Sequence, residues 1–194
     1  MGADQKSWRV FCAFELPEQL RFLIQRHAAK VREALPDVAA SWSRVDNIHL
    51  TMKFFGNVDQ AKVPSISTAL AQVAQEFSPI DIVVGGTGVF PRPSRPQVLW
   101  IGINDPSGAL ATLQQRLEDE CARAGFPKEE RAFRPHLTIA RIRQPQNASR
   151  LAEAHLQLQF KPVELVLNEL VLFRSELSPK GSKYTPLSKS RLEH

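Results

Sequence analysis

The sequence predicts a single bilobal α+β domain, and three observations carry that expectation. Strand-like and helical runs follow one another as strand–helix–strand–helix–strand, roughly twice over. A tetrapeptide nearly repeats, His49-Leu50-Thr51-Met52 and then His136-Leu137-Thr138-Ile139, once in each half. At 194 residues the chain fits one compact unit, and each half looks too small to fold alone. Halves packed about a pseudo-twofold axis would bring the two motif strands together across a central cleft. The domain is assigned to residues 1–190. The closing Arg191-Leu192-Glu193-His194 reads as a vector-derived tail, so His194 is excluded from function.

Taken in order, WRVFCAFE (8–15) is a strand, and Leu16-Pro17 turns it into a helix over 17–34, with Pro17 suited to a first helical turn. A short extended piece around Trp42 leads to the first motif strand, 47–55, closed by Gly56-Asn57. Val63, Ile66, Leu70, Val73 and Phe77 recur at helical steps within 59–77, with Pro64 in the first turn. Strands over 80–85 and 97–103 flank GTGVFPRPSRP, a loop by composition. The clearest helix is 107–124, with Leu110, Leu113, Leu117 and Cys121 on one stripe and Gly125 as its stop. The second motif strand spans 134–142, a short helix covers 149–155, and strands lie near 163–174 and 183–187.

A 43% apolar and 23% charged composition describes an ordinary folded protein. No apolar run reaches the roughly 20 residues that cross a bilayer, and no signal peptide opens the chain. Cys12 lies in an apolar strand and Cys121 on a helix stripe, which reads as two buried thiols and a cytoplasmic location. The net charge of +5 suits a phosphate-rich partner, and arginines and Lys128 crowd the second motif.

In a strand, His and Thr of each motif share one face and the intervening residues point to the other. One such unit is ordinary strand sequence. Two of them with nearby cations describe a paired site. One imidazole starts as base and the other as acid near neutrality, while the hydroxyls donate to an anion. His49, Thr51, His136 and Thr138 are therefore the candidate catalytic residues. Alternation puts Lys53 on the face of His49, with Leu50, Met52 and Phe54 in the core, and Arg134 on the face of His136. It sends Arg141 to the opposite face unless the strand twists or ends. Zinc finds no HExxH, no close Cys pair and no flanking carboxylates, and Gly85-Gly86-Thr87-Gly88 lacks the Lys-Ser/Thr ending of a P-loop. His27 and His155 read as surface or packing residues.

The strings WRVFCAFELP, WSRVDNIHLTMKFFGNV, FPRPSRPQVLWIGI and FRPHLTIARI together resemble the two-histidine phosphoesterase superfamily. The closest branch is the RNA 2′,3′-cyclic phosphodiesterases, also called 2′-5′ RNA ligase-like proteins. Met52 and Phe55 stand where that branch commonly has aliphatic residues, as packing changes. The resemblance implies a bilobal fold of two pseudo-symmetric lobes with antiparallel-rich sheets around a central groove. It also implies metal-independent, cofactor-free opening of RNA 2′,3′-cyclic phosphate ends to 2′-phosphate ends, with a minor reverse 2′-5′ ligation. By that resemblance His136 activates water, His49 protonates the departing 3′ oxygen, and Thr51 and Thr138 hold nonbridging oxygens. Lys53, Arg134 and Arg141 are candidates for phosphate contact, and Trp42, Phe90, Phe11 and Phe14 for base stacking, although Phe11 and Phe14 cannot share one strand face. No obligate protein partner and no membrane are implied. Two other readings stand beside this one: an RNA-end-binding factor with little turnover, and a phosphodiesterase for small cyclic nucleotides.

Overall fold

The structure, a computed structural model, describes residues 7–178 and 181–193. Its elements are β1 (Ser7–Glu15), α1 (Glu18–Ala34), β2 (Ala40–Trp42), β3 (His49–Asp59), α2 (Val63–Ala74), β4 (Ile80–Arg92), β5 (Arg95–Asn104), α3 (Ala109–Arg123), β6 (His136–Ile142), α4 (Ala148–Gln157), β7 (Val163–Leu167), β8 (Glu169–Ser178) and β9 (Gly181–Arg191). Two antiparallel sheets form, one in the order β3-β1-β8-β9 and the other β2-β6-β5-β4-β7. The expected α+β architecture with two antiparallel sheets is what the chain adopts.

The lobes are not the sequential halves of the chain. β8 and β9, from the C-terminal end, complete the first sheet beside β1, and β2 joins the second sheet beside β6. The run 163–174, expected as one strand, divides at Asn168. Residues before it pair with β4, and residues after it pair with β1. Arg191 pairs with Glu169, and Leu192 is buried with its N–H donated to the Asn168 carbonyl at 2.8 Å. Strand and core thus run past the boundary drawn at residue 190; His194 lies outside the described residues.

Most of the segment expected as a loop is instead the second half of β4, and only Pro93-Ser94 turns before β5 begins. Gly86, at φ +70°, is an extra residue between the Gly85–Gly102 and Thr87–Ile101 pairs, so the glycine bends a strand that continues to Arg92.

Helices α2 and α3 cover the first sheet and α1 and α4 the second, so α1 follows a first-sheet strand but packs on the other lobe. The stripe Leu110, Leu113, Leu117 and Cys121 is fully buried, as its spacing requires. The main core fills the helix-covered faces, including Val10, Cys12, Phe14 and Leu50 of the first sheet and Leu99, Ile101, Leu137 and Ile139 of the second. The opposite face of the first sheet carries a separate small cluster, Phe11, Ala13, Val171 and Phe173. The motif strands β3 and β6 pack against each other and bring the uncovered faces of the two sheets to one groove. Among the described residues no helix is long and apolar enough to cross a membrane.

Candidate active site

Simple alternation fails in β3 at a position that matters. Along β1, Phe11 faces Phe54, Cys12 faces Lys53 and Ala13 faces Thr51, which leaves Met52 as an extra, bulged residue. Met52 and Lys53 therefore both turn to the core, 3% and 4% exposed, and Phe54 swings out at 55%. His49, Thr51 and Phe54 share the groove face. Lys53, expected to touch phosphate, instead donates to Glu118 Oε2 at 2.5 Å and to the Pro127 carbonyl at 2.9 Å. Gln114 Nε2 and the Glu129 N–H complete the shell of the Glu118 carboxylate, so this buried ion pair is satisfied and lies away from the groove.

The second motif strand repeats the device. Trp100 faces Thr138 and Leu99 faces Ala140, so Ile139 is the extra residue. Ser43 braces the bulge, its N–H donating to the Ile139 carbonyl and its Oγ to the Thr138 carbonyl, both at 2.9 Å. Ile139 and Ala140 turn to the core, and Arg141, expected on the far face, comes round to the side of His136 and Thr138. Its positive charge is among the influences that hold the His136 pKa down.

The two imidazoles are anchored alike. His136 Nδ1 donates to the Arg134 carbonyl at 2.7 Å, which leaves Nε2 to exchange a proton. The Asn47 backbone, again two residues upstream, acts on His49 in favour of its charged form. The rings are walled differently. His49 stacks on Phe11 at 4.7 Å between centroids, with Tyr184 edge-on at 5.3 Å and Phe173 at 6.5 Å. His136 meets the edge of Phe90 at 5.0 Å, with Trp100 at 6.4 Å. Burial pushes His49 down to about 4, against the Asn47 hydrogen bond that favours its charged form. Burial is also the main cause that lowers His136, with Arg141 adding to it and the Arg134 carbonyl opposing. Both shifts favour the neutral ring at pH 7.

Of the remaining sequence-predicted residues, Phe90 lies against Trp100 and His136 in the groove. Trp42 does not line it: paired with Ala140, it faces the main core and packs there. Arg134 precedes β6, exposed, and reaches His136 through its carbonyl. Phe11 and Phe14 separate as expected, Phe14 to the core and Phe11 beneath His49. Phe173, Tyr184 and Trp100 escaped sequence reading. For Trp100 a signal existed, since alternation sets it opposite Leu99 and Ile101; Phe173 and Tyr184 carry no motif and arrive through sheet pairing alone. Beside His49 opens a cavity of about 480 Å³ that Arg21, Arg44, Lys183 and Tyr184 also line. Among the described residues no three His, Cys, Asp or Glu side chains converge as a metal site.

Two imidazoles, two hydroxyls and one guanidinium stand on the uncovered faces of two strands that pack against each other. Such a set suits proton transfer at both ends of a reacting anionic group, with hydrogen bonds to the oxygens between.

The profile of the 2′-5′ RNA ligase superfamily matches residues 19–179. An RNA 2′,3′-cyclic phosphodiesterase of Methanothermobacter thermautotrophicus is 35% identical over 187 residues, covering 95% of this chain and 98% of its own. One of Thermotoga maritima is 30% identical over 188 residues, covering 95% and 96%. Among solved structures, a Thermus thermophilus protein superposes with a TM-score of 0.77 at 27% identity, covering 95% of this chain and 97% of its own. Escherichia coli LigT complexed with 3′-AMP gives 0.72 at 25% identity, covering 97% and 99%.

Proposed function

The chain belongs to the 2′-5′ RNA ligase superfamily, and from that membership we infer that it is an RNA 2′,3′-cyclic phosphodiesterase working through its paired His-x-Thr strands. The observation that carries the reading is the matched construction of β3 and β6. Each holds a histidine by a backbone contact two residues upstream and bulges just past the threonine.

The cyclic phosphate sits between the strands. His136 Nε2 takes a proton from water as the water oxygen bonds to phosphorus. The bond from phosphorus to the 3′ oxygen breaks, and that oxygen takes a proton from His49, leaving a 2′-phosphate. Thr51 and Thr138 donate to the nonbridging oxygens, and Arg141 opposes the charge that builds on them. Replacing water by a 5′-hydroxyl gives a 2′-5′ link by the same proton transfers; water is far more abundant, so hydrolysis dominates. The lowered pKa of His49 fits a group that is neutral when empty and charges beside a bound anion, since a nearby negative charge favours imidazolium. No metal enters this scheme. The buried free thiols Cys12 and Cys121 suit a reducing cytoplasm.

Chelator-treated protein incubated with a short RNA ending in a 2′,3′-cyclic phosphate tests the reading, with 2′- and 3′-phosphate products resolved. A 2′-phosphate product is expected, with turnover reduced about 10²- to 10⁴-fold in H49A and in H136A. A 3′-phosphate product, activity that returns only with added metal, or tight binding without product would overturn it.

A further inference from the structure

We propose that the cavity beside His49 is a subsite for the first internucleotide phosphate of an RNA end, and that it makes the enzyme prefer oligonucleotide ends to nucleoside 2′,3′-cyclic phosphates. The proposal rests on the reading above, in which His49 protonates the 3′ oxygen and water arrives from the side of His136. That oxygen remains on the terminal ribose, and the rest of the RNA is joined through the 5′ carbon of the same ribose. The body of the strand therefore lies on the His49 side, where this cavity opens.

Its chemistry fits. A volume of about 480 Å³ lies within the range of small-ligand sites. Arg21 Nε is buried there without a hydrogen-bond partner, an unsatisfied donor on a permanently charged group. Arg44 and Lys183 line the same space, and neither has an ion pair among the described residues. Of the two carboxylates on the wall, Glu15 is approached by Lys189 at 3.5 Å, and Asp46 offers an acceptor that suits a ribose hydroxyl. Three cations lining one cavity position a backbone without reading its sequence, so the subsite senses strand length and not base identity.

The test compares kcat/KM for adenosine 2′,3′-cyclic phosphate with that for a diadenosine carrying the same cyclic end, in wild type, R21Q, R44Q and K183Q. A third substrate is the diadenosine with a neutral methylphosphonate in its internucleotide link, which needs no variant to fold. Wild type should prefer the charged dinucleotide by about 10-fold or more. R21Q should collapse that ratio, mainly through KM, and the methylphosphonate should collapse it in wild type. Equal kcat/KM for the mononucleotide and dinucleotide in wild type, or no penalty for the neutral link, would overturn the subsite and leave the phosphodiesterase reading standing. Turnover of none of the substrates by wild type would overturn that reading itself.

Discussion

The two motif strands share a backbone plan and differ in their surroundings. β3 is an edge strand whose bulge buries Lys53 and exposes Phe54; β6 is flanked by β2, and its bulge buries Ala140 and brings Arg141 to the groove. Five residues beyond the histidine, one strand therefore offers an aromatic ring and the other a guanidinium. Four residues beyond it, one strand hides a cation and the other a methyl group. The repeated part fixes where an imidazole and a hydroxyl stand, while the neighbours decide how each half is charged. His49 is enclosed by Phe11, Tyr184 and Phe173 beside a cationic cavity, whereas His136 lies between aromatics and Arg141.

Apart from the histidines themselves, the sharpest break of this comparison comes at Lys53. Lys53→Met leaves Glu118 buried without its cation, and chemical denaturation should show a loss of about 3–5 kcal/mol. Activity of the folded fraction should hold near wild type, and a large rise in KM at unchanged stability would instead return Lys53 to the groove. On the other strand, Arg141→Gln should leave stability nearly intact and lower kcat by about 10- to 100-fold, the worth of a charged hydrogen bond. It should also move the histidine limb of the kcat/KM profile to higher pH, because a cation that holds His136 down has gone. Gly88→Ala probes the aromatic wall of His136. A Cβ there would fall 2.0 Å from the Trp100 ring, so the indole must shift, at about 1–3 kcal/mol of stability by thermal or urea unfolding.

The smallest effect concerns a pair behind that wall. His27 and His155 are both buried, with His27 Nε2 3.2 Å from His155 Nδ1 and His155 Nε2 3.0 Å from the Trp100 carbonyl. That carbonyl accepts only, so His155 donates from Nε2 and receives the His27 proton at Nδ1. Burial and the His155 neighbour push His27 from 6.5 down to about 4, and burial lowers His155 too. Folded pKa values below unfolded ones give stability that is complete above about pH 6.5 and is lost as pH falls toward about 4. Unfolding free energies from urea titrations at pH 7 and pH 5 should differ by about 1–2 kcal/mol from His27 alone. Replacing both rings by Gln should reduce that difference without abolishing it, since His49 and His136 carry shifts of the same sign.

Sequence periodicity reached much of this. The helical stripes, the strand faces of β1 and the placement of each His with its Thr all follow from local alternation and need no partner. The bulges do not. Met52 is extra only relative to Cys12 and Ala13, and Ile139 only relative to Leu99 and Trp100, so the faces of Lys53, Phe54 and Arg141 depend on pairing between distant segments. Glu118, the partner that draws Lys53 inward, lies on α3. The division at Asn168 was hidden for a related reason: an apolar run looks the same whether one sheet takes all of it or two sheets share it. Glycine composition suggested a loop where a left-handed glycine bends a strand, and that distinction also rests on the partner strand.

The central claim is that the two strands form one acid–base unit, and a double-mutant cycle in single-turnover hydrolysis of an RNA 2′,3′-cyclic phosphate tests it most directly. If His49 and His136 act together, H49A, H136A and the double variant should lose nearly equal rates, because removing either ring already disables the pair. Losses that multiply in the double variant, or near-normal turnover in either folded single variant, would contradict the claim.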